Sequence, residues 1–179
     1  MIIHKAIEFA AIAHKNQLRK SKTVPYIVHL METAIVLAKN GASDEVICAG
    51  ILHDTLEDTE TTKQNLIDAF GENVAQLVFA ASENKSLSWE NRKQETIDYI
   101  RNEATQDEMM VMCADKISNA RSLYLDKQVV GIDALWVPFK RSYDKQKWYY
   151  ESLAEALKKL NNKNMTDELS NLVSQVFQK

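Results

Sequence analysis

Hydrophobic positions recur along this chain at intervals of three and four residues, the spacing that gathers side chains on one face of an α-helix. Ile3, Ile7, Ala10 and His14 form such a face and predict a first helix from about residue 2 to about 16. Leu30, Ala34, Leu37 and Ala38 predict a second over about 27–39, stopped by Asn40-Gly41. Between them Pro25 disfavours helix at Val24, so the stretch from Lys15 to Tyr26 reads as a loop carrying four cations, Lys15, Arg19, Lys20 and Lys22. Ser43 is placed to cap a third helix, with Asp44 and Glu45 at the positive end of its dipole. The body of that helix is apolar (Val46, Ile47, Ala49, Ile51, Leu52), and His53-Asp54 fall near its C-terminal end.

Further on, Thr61-Thr62-Lys63-Gln64 has the form of a capping box and opens a short helix closing at Phe70-Gly71. A helix over about 72–82, a polar loop over 83–88 and a Ser88-capped helix over about 89–103 follow. Asp107-Glu108 open the helix that contains Met109 to Asn119, and residues 127–138 read as a loop or short helix ending at Pro138. From Phe139 a long aromatic-rich helix is predicted to about Leu160; Thr166 is expected to cap a last helix to about Phe177. No repeat, low-complexity stretch or linker interrupts the pattern. The prediction is one all-α domain over residues 1–179, a bundle of about nine to eleven helices.

Composition agrees: of 179 residues only four are Gly and two Pro. A net charge of −3 argues against non-specific nucleic-acid binding as the main activity. No apolar run reaches the ~20 residues that span a bilayer. Lys5 and Glu8 interrupt the apolar start without a cleavage pattern, so the expectation is a cytoplasmic protein with no membrane association. Cys48 and Cys113 lie in apolar helical patterns and read as reduced core thiols. Trp148-Tyr149-Tyr150 reads as core or dimer packing; partly exposed, it would support a homodimer.

Two anomalies break this ordinary picture. The first is Leu52–Thr59, where His53-Asp54 is followed one helical turn later by Glu57-Asp58. Carboxylates that close raise one another's pKa or require a cation. The second is Asp115, in the middle of an apolar run and on one face with Met112 and Asn119. A buried carboxylate is costly unless it is paired, hydrogen-bonded or bound to a metal, and a salt bridge or cap is as good a reading here as a metal. His14 reads as a hydrogen-bonded core histidine, and His29 sits at the border of its helix's apolar face. His53 and Asp54 can flank one ion, with His29 and Asp115 the outstanding candidates for further ligands. Imidazoles and carboxylates without thiolate suit Mn²⁺, Fe²⁺ or Zn²⁺ alike. A bound water of lowered pKa, oriented or deprotonated by Glu57 or Asp58, would equip a phosphate-ester hydrolase. The basic loop is a solvated surface unless a phosphorylated ligand lies nearby.

With these residues the chain resembles the HD superfamily of metal-dependent phosphohydrolases, whose pattern is H…HD…D, and within it the hydrolase domain of RelA/SpoT-type alarmone enzymes and their single-domain metazoan counterpart. The likeness runs through Ala13–Lys20, Pro25–His29, Ala49–Thr59, Phe70-Gly71 and Ala114–Arg121, and covers roughly residues 3 to 160. It implies His29, His53, Asp54 and Asp115 as metal ligands, usually for Mn²⁺, and Glu57 and Asp58 as the catalytic acids. It also implies Arg19 and Lys20 beside the nucleotide's base and phosphates and Asn119 hydrogen-bonded to it. The activity implied is removal of the 3′-pyrophosphate from ppGpp or pppGpp, by a hydrolase without a synthetase domain. Phosphatase action on another nucleotide, NADPH included, is the nearest alternative; a non-catalytic nucleotide-binding module is the alternative of a different class. Leu30 replaces a common Pro, Ser118 stands where an aromatic residue or His often precedes Asn119, and Ser82-Glu83-Asn84-Lys85 only approximates Thr-Asp-Asp-Lys.

Overall fold

The structure is a computed structural model and describes residues 1–20 and 22–178. Ten α-helices and one 3₁₀ turn make up these residues, with no strand among them; Leu18 and Pro25 form only an isolated bridge. In order the helices are α1 (Ile2–Ala13), α2 (Ile27–Lys39), α3 (Asp44–Leu52), α4 (Thr55–Asp58), α5 (Lys63–Phe70) and α6 (Glu72–Ala81). Then come α7 (Trp89–Asn102), α8 (Gln106–Leu135), α9 (Tyr143–Ala156) and, after the turn Leu157–Lys159, α10 (Lys163–Phe177).

The arrangement is organised around α3. Every residue from Val46 to Leu52 is buried, as expected of a helix that is apolar all round. It packs against α1, α2, α6 and α8. Contact with α2 is close: a Cβ placed on Gly50 would lie 2.3 Å from Leu37 Cδ1. The long α8 runs beside α2, α3, α6 and α10, so α2, the end of α3 and the middle of α8 converge. Cys48 and Cys113 are buried free thiols, and burial first of all pushes them up, to about 11 and about 12. They are inert packing groups.

Several boundaries differ from the sequence expectation for identifiable reasons. The first helix ends at Ala13, because His14 turns out of the helix (φ −99°, ψ 15°) and its ring bonds Gln17. The capping box is built on Thr62 and Asn65, one position later than expected, while Thr61 is tied to the Thr59 hydroxyl. Helix α8 continues well past residue 127, and Gly131, at φ +79° and ψ 167°, kinks it in a conformation that favours glycine. Pro138 and the Ser142 cap delay α9 to Tyr143. Asn162, not Thr166, caps the last helix; Thr166 lies inside α10 and its hydroxyl donates to the Lys163 carbonyl at 3.1 Å. Of the aromatic run, Tyr149 is buried against Trp89, whereas Trp148 is 38% exposed.

Candidate metal centre and its clefts

Four side chains from three places in the chain meet where α2, α3 and α8 converge. His29 comes from the first turn of α2, His53 and Asp54 from the junction of α3 with α4, and Asp115 from the middle of α8. His29 Nε2 lies 3.1 Å from Asp115 Oδ1 and 3.6 Å from Asp54 Oδ2. His53 Nε2 lies 3.0 Å from Asp54 Oδ2 and 3.5 Å from Asp115 Oδ1. Ligand atoms of His29, His53 and Asp115 all fall within 4.8 Å of one another.

The junction itself explains why adjacent residues can share a point. His53 (φ −55°, ψ −34°) keeps helical geometry, but Asp54 (φ −92°, ψ −2°) departs from it, and the Thr55 hydroxyl donates to the Leu52 carbonyl at 2.7 Å. The chain starts a new one-turn helix instead of continuing α3, and the two side chains turn inward together.

Each imidazole is held from its far side. His53 Nδ1–H donates to the Gly50 carbonyl at 2.8 Å, and His29 Nδ1 lies 2.8 Å from Ser118 Oγ. Both Nε2 atoms are buried and neither has an aligned hydrogen-bond partner, although both face the two carboxylates. Buried polar atoms without partners are costly, and two of them aimed at two carboxylates fit a divalent cation. The donor set is therefore suited to the metal that its chemistry implies.

The carboxylates are tethered in turn. Tyr26 donates its hydroxyl to Asp54 Oδ2 at 2.7 Å, Asn119 donates to Asp115 Oδ1 at 2.6 Å, and the Lys116 ammonium lies 2.7 Å from Asp115 Oδ2. Against the desolvation of burial, the neighbouring His53 holds Asp54 far below the ordinary carboxylate range, and Lys116 with both imidazoles does the same for Asp115. Burial lowers His29, whereas the two carboxylates overcome burial at His53 and raise it well above the usual imidazole value.

Glu57 and Asp58 lie beside this cluster on α4, on a cleft of about 270 Å³ that also holds His53, Asp54 and Asp115. Glu57 accepts the Glu83 backbone N–H at 2.7 Å, and burial pushes its carboxyl up. Asp58 accepts from Lys85 at 2.9 Å and from Gln17 at 3.0 Å; Gln17 in turn accepts the buried His14 Nδ1–H at 2.6 Å. Lys85, Arg92, Lys93 and Lys116 supply cations to the same cleft. None of these four announces itself by local spacing. Lys116 follows Asp115 in sequence, but Lys85, Arg92 and Lys93 arrive from α7 and the loop before it, so only the fold brings those three to the carboxylates.

A second cleft of about 210 Å³ adjoins the first and shares Tyr26 and Asn119 with it. Arg19 donates to Asn119 Oδ1 at 3.0 Å and lies over the Tyr26 ring. Lys20 sits 4.1 Å from the Phe139 ring centroid, and Tyr150 closes the back. Arg19, Lys20 and Asn119 are thus brought together, about one side chain away from the four-residue cluster.

Comparison with known proteins places these features in context. The HD domain family matches residues 6–134. A zebrafish (Danio rerio) protein named guanosine-3′,5′-bis(diphosphate) 3′-pyrophosphohydrolase MESH1 is 36% identical over 68% of this chain and 69% of its own length. A protein of Aquifex aeolicus named guanosine-3′,5′-bis(diphosphate) 3′-pyrophosphohydrolase is 33% identical over 70% of this chain, a match that spans only 18% of its length. Among solved structures, lmo0812 from Listeria monocytogenes EGD-e superposes with a TM-score of 0.76 at 38% identity, covering 87% of this chain and 97% of its own. A metazoan ortholog of SpoT, described as hydrolysing ppGpp, superposes with a TM-score of 0.83 at 24% identity over 97% of this chain and 94% of its own, a likeness of fold.

Proposed function

We propose, from the premise that this chain belongs to the HD domain family, that it is a metal-dependent hydrolase removing the 3′-pyrophosphate of (p)ppGpp. One water is added across the 3′ phosphate ester; GDP or GTP and pyrophosphate are released. The observation that carries the reading is His29 and His53 turning Nε2 toward Asp54 and Asp115, with two more carboxylates on the adjoining helix and a cleft lined by Arg19, Lys20 and Lys22 beside them. The name shared by the zebrafish and Aquifex relatives supports the choice of substrate.

In this reading His29, His53, Asp54 and Asp115 would hold the ion, which would supply a bound water of lowered pKa and an electrophile for the phosphoryl oxygen. Glu57, whose carboxyl burial pushes up, would take a proton from the attacking water and return it to the departing oxygen. Asp58, held between Lys85 and Gln17, orients the water. Arg19 and Lys20 border the base and phosphates, and Asn119 bonds the nucleotide while fixing Asp115. Lys85 and Lys93 face the pyrophosphate being released.

Mn²⁺ is the ion proposed, with Fe²⁺ and Zn²⁺ served by the same donors. A cytoplasmic setting, a part in the stringent response and no role in nucleic-acid binding complete the proposal. No described helix is long and apolar enough to cross a membrane. A homodimer through the exposed Trp148 is a separate proposal, ended by a monomer in sedimentation at micromolar concentration. The main test is turnover of ppGpp by purified protein with each metal in turn. Pyrophosphate release with Mn²⁺ is expected; no release, with turnover of NADPH or another nucleotide in the same panel, overturns the substrate.

A further inference from the structure

His29 is not held by backbone, as His53 is, but by a hydroxyl: its Nδ1 lies 2.8 Å from Ser118 Oγ, and both side chains are buried. Ser118 has one proton to give, and Glu32 Oε2 lies 2.8 Å from the same oxygen. A carboxylate can only accept, so the Ser118 proton goes to Glu32 and its oxygen is left to accept from His29. That requires the proton of a neutral His29 ring to sit on Nδ1, leaving the lone pair on Nε2, the atom that faces Asp115. Glu32 is fixed from the other side: Arg121 donates to its Oε1 at 3.2 Å and to Glu168 Oε1, on α10, at 2.8 Å.

We infer that Ser118 and Glu32 are positioning residues for the metal centre, a hydroxyl–carboxylate pair that sets the tautomer of His29 and aims its Nε2 at the ion. Glu32 and Ser118 come from α2 and α8, and neither belongs to the four-residue cluster. Their arrangement has the logic of an outer partner that fixes a ligating imidazole's proton and orientation. With Arg121 and Glu168 it also ties the centre to the last helix, which lies beyond the stretch that carries the motifs. Without Glu32 the Ser118 hydroxyl is free to donate to Nδ1, which would move the ring proton to Nε2 and cost the ion a ligand.

The inference rests on the metal reading above, and Mn²⁺ binding separates the two. Free Mn²⁺ is followed by its EPR signal as it is titrated into metal-stripped native protein, Glu32→Ala, Glu32→Gln and Ser118→Ala, with thermal melting of each stripped protein as the control for folding. Glu32→Ala and Ser118→Ala should lose roughly 10- to 100-fold in Mn²⁺ affinity. Glu32→Gln, which keeps one acceptor oxygen where the carboxylate offers two, to Ser118 and to Arg121, should lose less than Glu32→Ala. Native affinity in both alanine variants overturns the positioning role and leaves the metal reading standing. A native protein that binds neither Mn²⁺ nor Zn²⁺ or Fe²⁺ sinks both. Should buried Ser118→Ala fail to fold, the half-exposed Glu32 pair carries the test alone.

Discussion

Glu57 and Asp58 are neighbours in sequence but sit in different surroundings, and the proposed function gives each a separable role on that ground. Glu57 accepts a backbone N–H and is pushed up by burial, whereas Asp58 is gripped by Lys85 and Gln17. Glu57→Gln and Asp58→Asn are expected to lower turnover by about 10²- to 10⁴-fold while metal binding persists. Asp54→Ala should lose the ion as well. Metal content and turnover measured side by side check all three, and full activity in both carboxamide variants removes the acid assignment. At this scale His53-Asp54 and Glu57-Asp58 were legible because four ionisable residues within six positions are improbable at the end of an apolar helix. The roles of Ser118, Glu83 and Tyr26 were not, although each falls in a stretch compared with the family pattern, because nothing local shows what each one bonds. What makes them part of the site is a partner elsewhere: Glu32, Glu57 and Asp54.

Among the elements, α3 carries the most consequence. Its register decides where His53 emerges, and the register depends on α2 lying close at Gly50. Gly50→Ala would drive a Cβ to 2.3 Å from Leu37 Cδ1, so Leu37 must move. A loss of about 1–3 kcal/mol in denaturant unfolding is expected from this overpacking. A change of under half a kcal/mol would show that the contact is slack. In α8 the kink at Gly131 has φ +79°, and nothing lies within 4 Å of a Cβ built there. The cost of Gly131→Ala is then conformational alone, on the order of 1 kcal/mol, with no change in Mn²⁺ affinity. Helix existence was readable from periodicity, and Ser43, Ser88 and Gly71 marked boundaries where expected. Capping residues were harder to place because Thr61 and Thr62, or Asn162 and Thr166, offer competing hydroxyl and amide acceptors. Which of them caps depends on how the neighbouring helices pack.

Across the whole molecule, a metal at this centre would join α2, α3 and α8, so removing it should loosen the fold and not only stop catalysis. At a free ion concentration near 100 times Kd, binding contributes about 2.7 kcal/mol, on the order of 5–10 °C in Tm for a chain of this size. Stripping the ion with a chelator and restoring it, followed by differential scanning calorimetry, measures the difference. The same linkage has a pH sign. His53 is raised by Asp54 and Asp115, so a proton it carries in the stripped protein must be given up when it ligates. Mn²⁺ affinity should therefore rise with pH, with proton release visible in calorimetric titrations run in buffers of different ionisation enthalpy. Affinity that is flat with pH would mean that His53 is already neutral. By itself the sequence determined the all-helical character, the extent of α2, α3, α6 and α7 and the identity of the residues rich in ligand chemistry, because those follow from spacing and side-chain type within a few turns. Only the tertiary structure decided which nitrogen of each imidazole faces the carboxylates, which cations reach Glu57 and Asp58, and that Ser118 and Glu32 stand behind His29. Apart from the bond of His53 to Gly50, those depend on contacts across 26 to 89 positions of chain, which packing around α3 sets and local pattern does not encode.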